Sequence, residues 1–295
     1  MHRYHRVEKA VDYTRRIFLQ KSGFLLLSST ASVMMPGMAM ASWKLVLPMP
    51  KRPPMPIKPR PSWPRVAIVI DDIGNNLHLA REFLALPVPI TFSILPQRPF
   101  SRRLMEEIAK AGHEILLHQP MEPFRRDIDP GPGAVYTSFS STRIQETIRT
   151  NLMEINLATG VNNHMGSKFT ANGKKIKEAL EVIKQKGLFF VDSLTTPRSV
   201  AYRTARRLHI IAAHRNVFLD CPAHTTVAIK EMKKLMSVAI RWGKAIGIGH
   251  PFATTLQGIK VFLSTYQSIW KRVEFVGISK LMHNCGYELH KNHKE

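Results

Sequence analysis

RVAIVIDDIG, residues 65–74, decides how the rest of the chain is read. Val66, Ala67, Ile68, Val69 and Ile70 are apolar without alternation, the pattern of a strand covered on both faces, as in the parallel sheet of an α/β protein. Asp71 and Asp72 follow at once, so the strand delivers two adjacent carboxylates to its own mouth. Such a pair is costly unless something cationic meets it. A metal ion, with one carboxylate as ligand and the other as general base, is one partner of that kind. Gly74 and Asn75 are turn formers, and on this stretch alone the carboxylates read equally well as part of a turn.

Outward from there, short apolar runs alternate with amphipathic stretches of helical length. Leu77, Ala80 and Leu84 share one helical face; residues 90–95 read as a strand; Leu104, Ile108 and Ala111 mark a helix ended by Gly112. A strand at 115–117, a loop with Pro130, Gly131, Pro132 and Gly133, and a helix carrying Ile144, Ile148, Leu152 and Ile155 follow, and Val161 opens the next strand. Ile176, Leu180 and Ile183 lie on a helix stopped by Gly187, and 188–191 is a strand of the same buried type as the first. Strands at 217–219, 245–248 and 273–276 alternate with helices around Met232 and at 256–269. This order demands parallel pairing and right-handed crossovers. The expected fold is α/β, a distorted (β/α) barrel of about seven or eight mainly parallel strands, with an open doubly wound sheet as the alternative.

The composition suits one large domain: 295 residues, 44% of them hydrophobic, need no disulfide staples, and Cys221 and Cys285 leave a single bridge an open question. With 43 Lys and Arg against 21 Asp and Glu, the formal charge of +22 attracts polyanions. The N-terminus argues against nucleic acid as that partner. TRRIFLQ (14–20), the modestly apolar run 24–35 and the small residues Ala39 and Ala41 resemble a twin-arginine signal peptide, with Gln20 where lysine is usual. Ser28, Ser29, Thr30 and Ser32 interrupt a run already short for a bilayer span, so cleavage after Ala41 is expected rather than an anchor. Residues 1–41 hold six Lys or Arg and two acids, so the remainder keeps +18. Export to the periplasm or cell envelope makes anionic envelope polymers or a membrane surface the expected partners of this charge. Residues 42–64, dense in proline and basic side chains, read as an extended linker; 65–279 is the domain; 280–295, with His283, His290 and His293, reads as a basic tail.

The site emerges from position. Asp71 and Asp72, His118 in LLHQPME, His164 in VNNHMGS, Asp192 in FFVDS, Asp220 and His250 in GIGHP each follow an expected strand. In a parallel barrel these positions meet on the C-terminal rim, where active sites of this architecture lie. Singly, each has a plainer reading, such as an aspartate capping the next helix, and that reading weighs most for Asp220. Two histidines and a carboxylate suffice to hold a catalytic Zn²⁺ or similar divalent ion with a position left for water. Glu122, four residues after His118, is an alternative ligand.

IDDIG, HQPMEP, NNHMGSKFT, FFVDSLTTP and GHP, in this order, resemble the divergent polysaccharide deacetylases, a branch of the NodB-like carbohydrate esterases, over about residues 65–278. The resemblance implies a distorted (β/α) barrel and metal-dependent removal of N-acetyl groups from a sugar polymer. It implies Asp71 as base, Asp72 and His118 as metal ligands and His250 as acid. The main family carries a His-x-x-x-His segment where this chain has His118 and Glu122, so His164 is taken as the remaining ligand. Asp192 is expected to orient a histidine or a substrate hydroxyl, and Asn163, Ser167 and Glu122 to contact substrate. Two other readings remain: a catalytically silent glycan-binding envelope module, and a metal hydrolase acting on another ester or on a phosphodiester.

Overall fold

A computed structural model describes residues 63–283. The expected signal segment, the linker up to residue 62, Cys285, His290 and His293 lie outside the described residues. The strands are β1 (Arg65–Ile73), β2 (Thr91–Ile94), β3 (Glu114–Met121), β4 (Gly160–Met165), β5 (Phe189–Asp192), β6 (Ala212–His214), β7 (Val217–Phe218), β8 (Lys244–Gly249) and β9 (Glu274–Phe275). The helices are α1 (Leu77–Leu84), α2 (Ser101–Lys110), α3 (Ser141–Glu154), α4 (Gly173–Gln185), α5 (Ala201–Arg207), α6 (Thr225–Trp242), α7 (Ala253–Thr265), α8 (Gln267–Trp270) and α9 (Ile278–His283).

All strand pairs of this sheet are parallel, in the order β6-β5-β4-β3-β2-β1-β8-β7, with β9 against the start of β1. The sheet curls into the expected distorted barrel, not an open doubly wound sheet. The outermost strands, β6 and β7, are consecutive in the chain and separated only by Arg215 and Asn216. One extended segment therefore pairs first with β5 and then with β8. This seam closes the curl without a continuous ladder.

The buried apolar side chains form two cores, one on either side of the sheet. Val66, Ile68 and Ile70 of β1 face the helix layer, whereas Ala67 and Val69 join Leu116, Phe189, Val191, Ile246 and Ile248 inside the barrel. Period-two alternation thus extends the inner row upward into polar residues at the C-terminal ends, and this parity positions the site.

The lower end of the barrel differs from expectation. The boundary expected at residue 279 falls inside α9, whose Ile278, Leu281 and Met282 are buried in the inner core. Ile278 N donates to Thr91 Oγ1 (3.1 Å) and Ser279 N to Glu114 Oε2 (2.9 Å), so polar side chains of the inner row take up the first-turn amides of this helix. In the sequence, these apolar residues are submerged among basic neighbours. The elements α5 and β6 were also not read from the pattern: α5 buries only Ala201 and Ala205, and β6 has three residues, too few for a period to show.

Candidate active site

Toward the rim, the inner rows of β1, β3 and β4 carry Asp71, His118, and Asn162 with His164, and His250 follows the last residue of β8. Alternation alone sends Asp72 to the opposite face from Asp71. The backbone prevents this: register breaks between Ile70 and Ile73, and Asp72 has a φ of 58°. A bulge with one left-handed residue, a conformation aspartate tolerates, turns both carboxylates to the rim.

Asp72 Oδ1 lies 3.1 Å from His118 Nε2 and 2.8 Å from His164 Nδ1, and the two ring nitrogens are 3.1 Å apart. Oδ1 is sealed from solvent, yet no hydrogen bond of good geometry satisfies it. Asn162 accounts for part of this. Its Oδ1 accepts from His118 Nδ1 (2.8 Å) and from Ser93 Oγ, and its Nδ2 donates to Asp71 Oδ1 (2.8 Å). With the amide in that orientation, the proton of a neutral His118 ring sits on Nδ1, and the Nε2 lone pair faces Asp72 and His164. Three donor atoms converge on one point around an unsatisfied buried oxygen. The triad is positioned to bind a metal ion.

Burial pushes the pKa of Asp71 up, and the charge of Asp72 adds to this; His118, His250 and the Asn162 amide pull the other way without reversing it. Burial also opposes the charge of Asp72, but the His118 and His164 rings hold it far below the carboxylate range. Across the cleft, His250 Nδ1 meets Asp220 Oδ1 at 3.0 Å, and Asp220 Oδ2 accepts from His250 N (2.5 Å) and Thr255 Oγ1 (2.8 Å). Burial disfavours the imidazolium, yet the Asp220 hydrogen bond and charge, helped by Asp71 and Asp72, raise His250 from 6.5 to about 9. A group with a raised folded pKa stabilises the fold fully below about 6.5 and loses that contribution as pH rises through about 9. The urea midpoint is therefore expected to fall between pH 6.5 and pH 9.5 by more in the wild type than in His250→Gln. Equal falls would show that His250 is not the proton-binding group.

The structure relocates several expected residues. Asp192, the expected orienting carboxylate, follows the outer parity of Phe190 and faces the helix layer. Its oxygens accept from Leu194 N (2.9 Å), Ser199 Oγ (2.7 Å) and Tyr202 N (3.1 Å), so it organises the entry to α5 rather than orienting a histidine. Asp220, which read chiefly as a cap, is the carboxylate that orients a histidine. Glu122 is neither an alternative ligand nor a cleft residue: it accepts from Thr137 N (2.8 Å) and pairs with Lys168 (2.7 Å). Ser167 Oγ accepts from Phe124 N (2.9 Å), likewise away from the cleft lining. Asn163 does line the cleft, but its amide is engaged by Met165 O (2.8 Å) and Ser193 N (2.9 Å). Asn162 belongs to no metal-binding or acid–base residue type, and the sequence signals it only through its place two residues before His164 on β4, which puts both on one face.

The cleft encloses about 340 Å³, with Asp71, Asp72, His118 and His164 on one side and Phe218, Asp220, His250 and Phe252 on the other. A family model described as divergent polysaccharide deacetylase matches residues 68–282. An uncharacterised protein from Haemophilus influenzae is 30% identical over 220 residues, 75% of this chain and 77% of that one. The uncharacterised protein YibQ of Escherichia coli is 32% identical over 193 residues, 65% of this chain and 60% of its own length. Among solved structures, an uncharacterised protein from Agrobacterium tumefaciens superposes with a TM-score of 0.66 at 25% identity, covering 74% of this chain and 88% of that one.

Proposed function

The chain belongs to the divergent polysaccharide deacetylase family, and from that premise we propose that it hydrolyses the acetamide of an N-acetylated amino sugar in an envelope polysaccharide or peptidoglycan. One observation carries the reading: a single cleft brings a cation-ready triad together with a buried carboxylate and a histidine whose pKa is raised. Two imidazoles and one carboxylate suit zinc. Asp72 Oδ1, His118 Nε2 and His164 Nδ1 would hold a divalent ion, which would supply positive charge to polarise a carbonyl and acidify a water molecule.

The remaining chemistry belongs to the side chains. Asp71 Oδ1 is held by the Asn162 amide, which leaves Oδ2 to take the proton of the water attacking the amide carbon. When the carbon–nitrogen bond breaks, its electron pair stays on nitrogen, and that nitrogen takes the proton His250 carries. Asp220 keeps the ring charged and aimed for this transfer. The TRRIFLQ segment and the small residues Ala39 and Ala41 support export and action in the periplasm or cell envelope.

The test uses the full chain loaded with zinc and incubated with N-acetylglucosamine oligomers and with peptidoglycan. Acetate is expected to appear together with an equal amount of free amine. Binding of either glycan with no acetate released would replace this reading with that of a silent glycan-binding module. Release of acetate from simple esters alone would replace it with an esterase.

A further inference from the structure

Four planar groups are arrayed along the β7 and β8 side of the cleft. The Arg215 guanidinium lies 3.6 Å from the centre of the Phe218 ring; Phe218 and His250 stand 6.1 Å apart at 26°; His250 and Phe252 stand 5.7 Å apart at 34°. Arg215 is fixed at the far end by Nε donating to Ser193 O (2.8 Å) and Nη2 to Leu194 O (3.0 Å). The ring at the near end, Phe252, is held by a tight turn in which its own N–H donates to His250 O (2.8 Å), and α7 begins with the next residue. Phe252 nonetheless keeps 44% of its surface exposed while lining the cleft. Phe252 is thus an exposed aromatic face on the wall of a cleft whose other lining includes Asp71, Asp72, His118, His164 and His250, and pockets that bind ligands combine such apolar faces with a few placed polar groups.

The polar groups on the facing rim do not compete for this role. Asn163 and Thr195 Oγ1 both donate to Met165 O, which ties the β4 and β5 loops to each other. The triad and Asp71 take the acyl end of the substrate, and His250 takes the nitrogen end. What is bonded to that nitrogen then sits beside His250, between Phe218 and Phe252; the Arg215 guanidinium covers one face of Phe218, and of the two rings Phe252 is the exposed one.

We infer that Phe252 is the platform for the amino-sugar ring whose nitrogen is released, stacking its aromatic face on the C–H face of the pyranose and so selecting a sugar over a small acyl amide or ester. An aromatic face carries negative charge density and attracts the positively polarised C–H bonds of a pyranose. The inference rests on the deacetylase reading for the direction in which the substrate lies; the ring and its exposure do not depend on it.

Two readouts keep the two ideas apart. Calorimetry of the full zinc-loaded chain with an N-acetylglucosamine tetramer is expected to show binding about tenfold or more weaker in Phe252→Ala and close to wild type in Phe252→Trp. Trp242→Ala, which removes a 68% exposed aromatic just before β8, at the other end of the barrel, is expected to bind as wild type does. For turnover, Phe252→Ala is expected to lower kcat/KM on the tetramer by at least that factor and to leave 4-nitrophenyl acetate hydrolysis within about twofold. Unchanged tetramer binding in Phe252→Ala, no binding by the wild type, or equal losses on both substrates would each overturn the platform. Platform-dependent binding without acetate release would keep the platform and sink the deacetylase reading.

Discussion

The His118→Ala chain is expected to bind zinc more than about 100-fold more weakly than the wild type and to lose acetate release with it, because removing a hydrogen-bond partner of a ligand already costs 10–100-fold in affinity. His118 is the residue on which the site depends most. Its Nε2 is one vertex of the triad, its Nδ1 is held by Asn162, and Asn162 in turn holds Asp71. The residue is 1% exposed, so its loss leaves a cavity as well as an unpaired Asn162 oxygen, and some loss of stability accompanies the loss of metal. Competition with a chromophoric chelator gives the affinity, and far-ultraviolet circular dichroism shows whether the barrel persists. Wild-type zinc affinity in a folded His118→Ala chain would remove His118 from the triad. Asn162→Ala serves as the graded companion: it keeps all three donor atoms but frees the His118 tautomer, and its zinc affinity is expected to fall between the two.

How much of this was legible in the sequence follows from strand parity. The apolar run 66–70 announced a doubly covered strand, and Ala67 and Val69 do face inward while Val66, Ile68 and Ile70 face the helices. From that one strand, a parallel sheet with its polar residues at the C-terminal rim followed. What a strand end alone does not reveal is the face. Asp192 and Asp220 both stand at such ends, but Asp192 shares the outer row with Phe190, whereas Asp220 lies beside His250. Counting two residues back from each candidate would have separated them. Counting would have failed for Asp72, because its φ of 58° breaks the alternation, and only the nearby Gly74 hinted at a turn there. Nor does Phe252 carry a signal in the sequence, since a single aromatic residue between a strand and a helix gives no sign of its exposure.

Separating the proton acceptor from the metal ligands calls for a substitution that keeps shape and removes only basicity. Asp71→Asn is expected to lower kcat by about 10²–10⁴, the range a positioned general base contributes, while zinc affinity stays within a few-fold of wild type. The residue is 2% exposed, and the replacement amide still presents an oxygen to Asn162 Nδ2, so the buried network has an acceptor where it needs one. Adjacent in sequence, Asp71 and Asp72 differ in their surroundings. Two imidazoles keep Asp72 ionised, as a cation ligand must be, while burial keeps Asp71 avid for a proton. Two neighbouring carboxylates with pKa values driven apart divide ligand from base. Asp72→Asn is accordingly expected to lose both zinc and turnover, and Asp71→Asn to lose turnover alone. If Asp71→Asn released zinc as readily as Asp72→Asn, both carboxylates would be ligands and the base would have to be sought elsewhere; if it kept wild-type kcat, the proton would leave by another route.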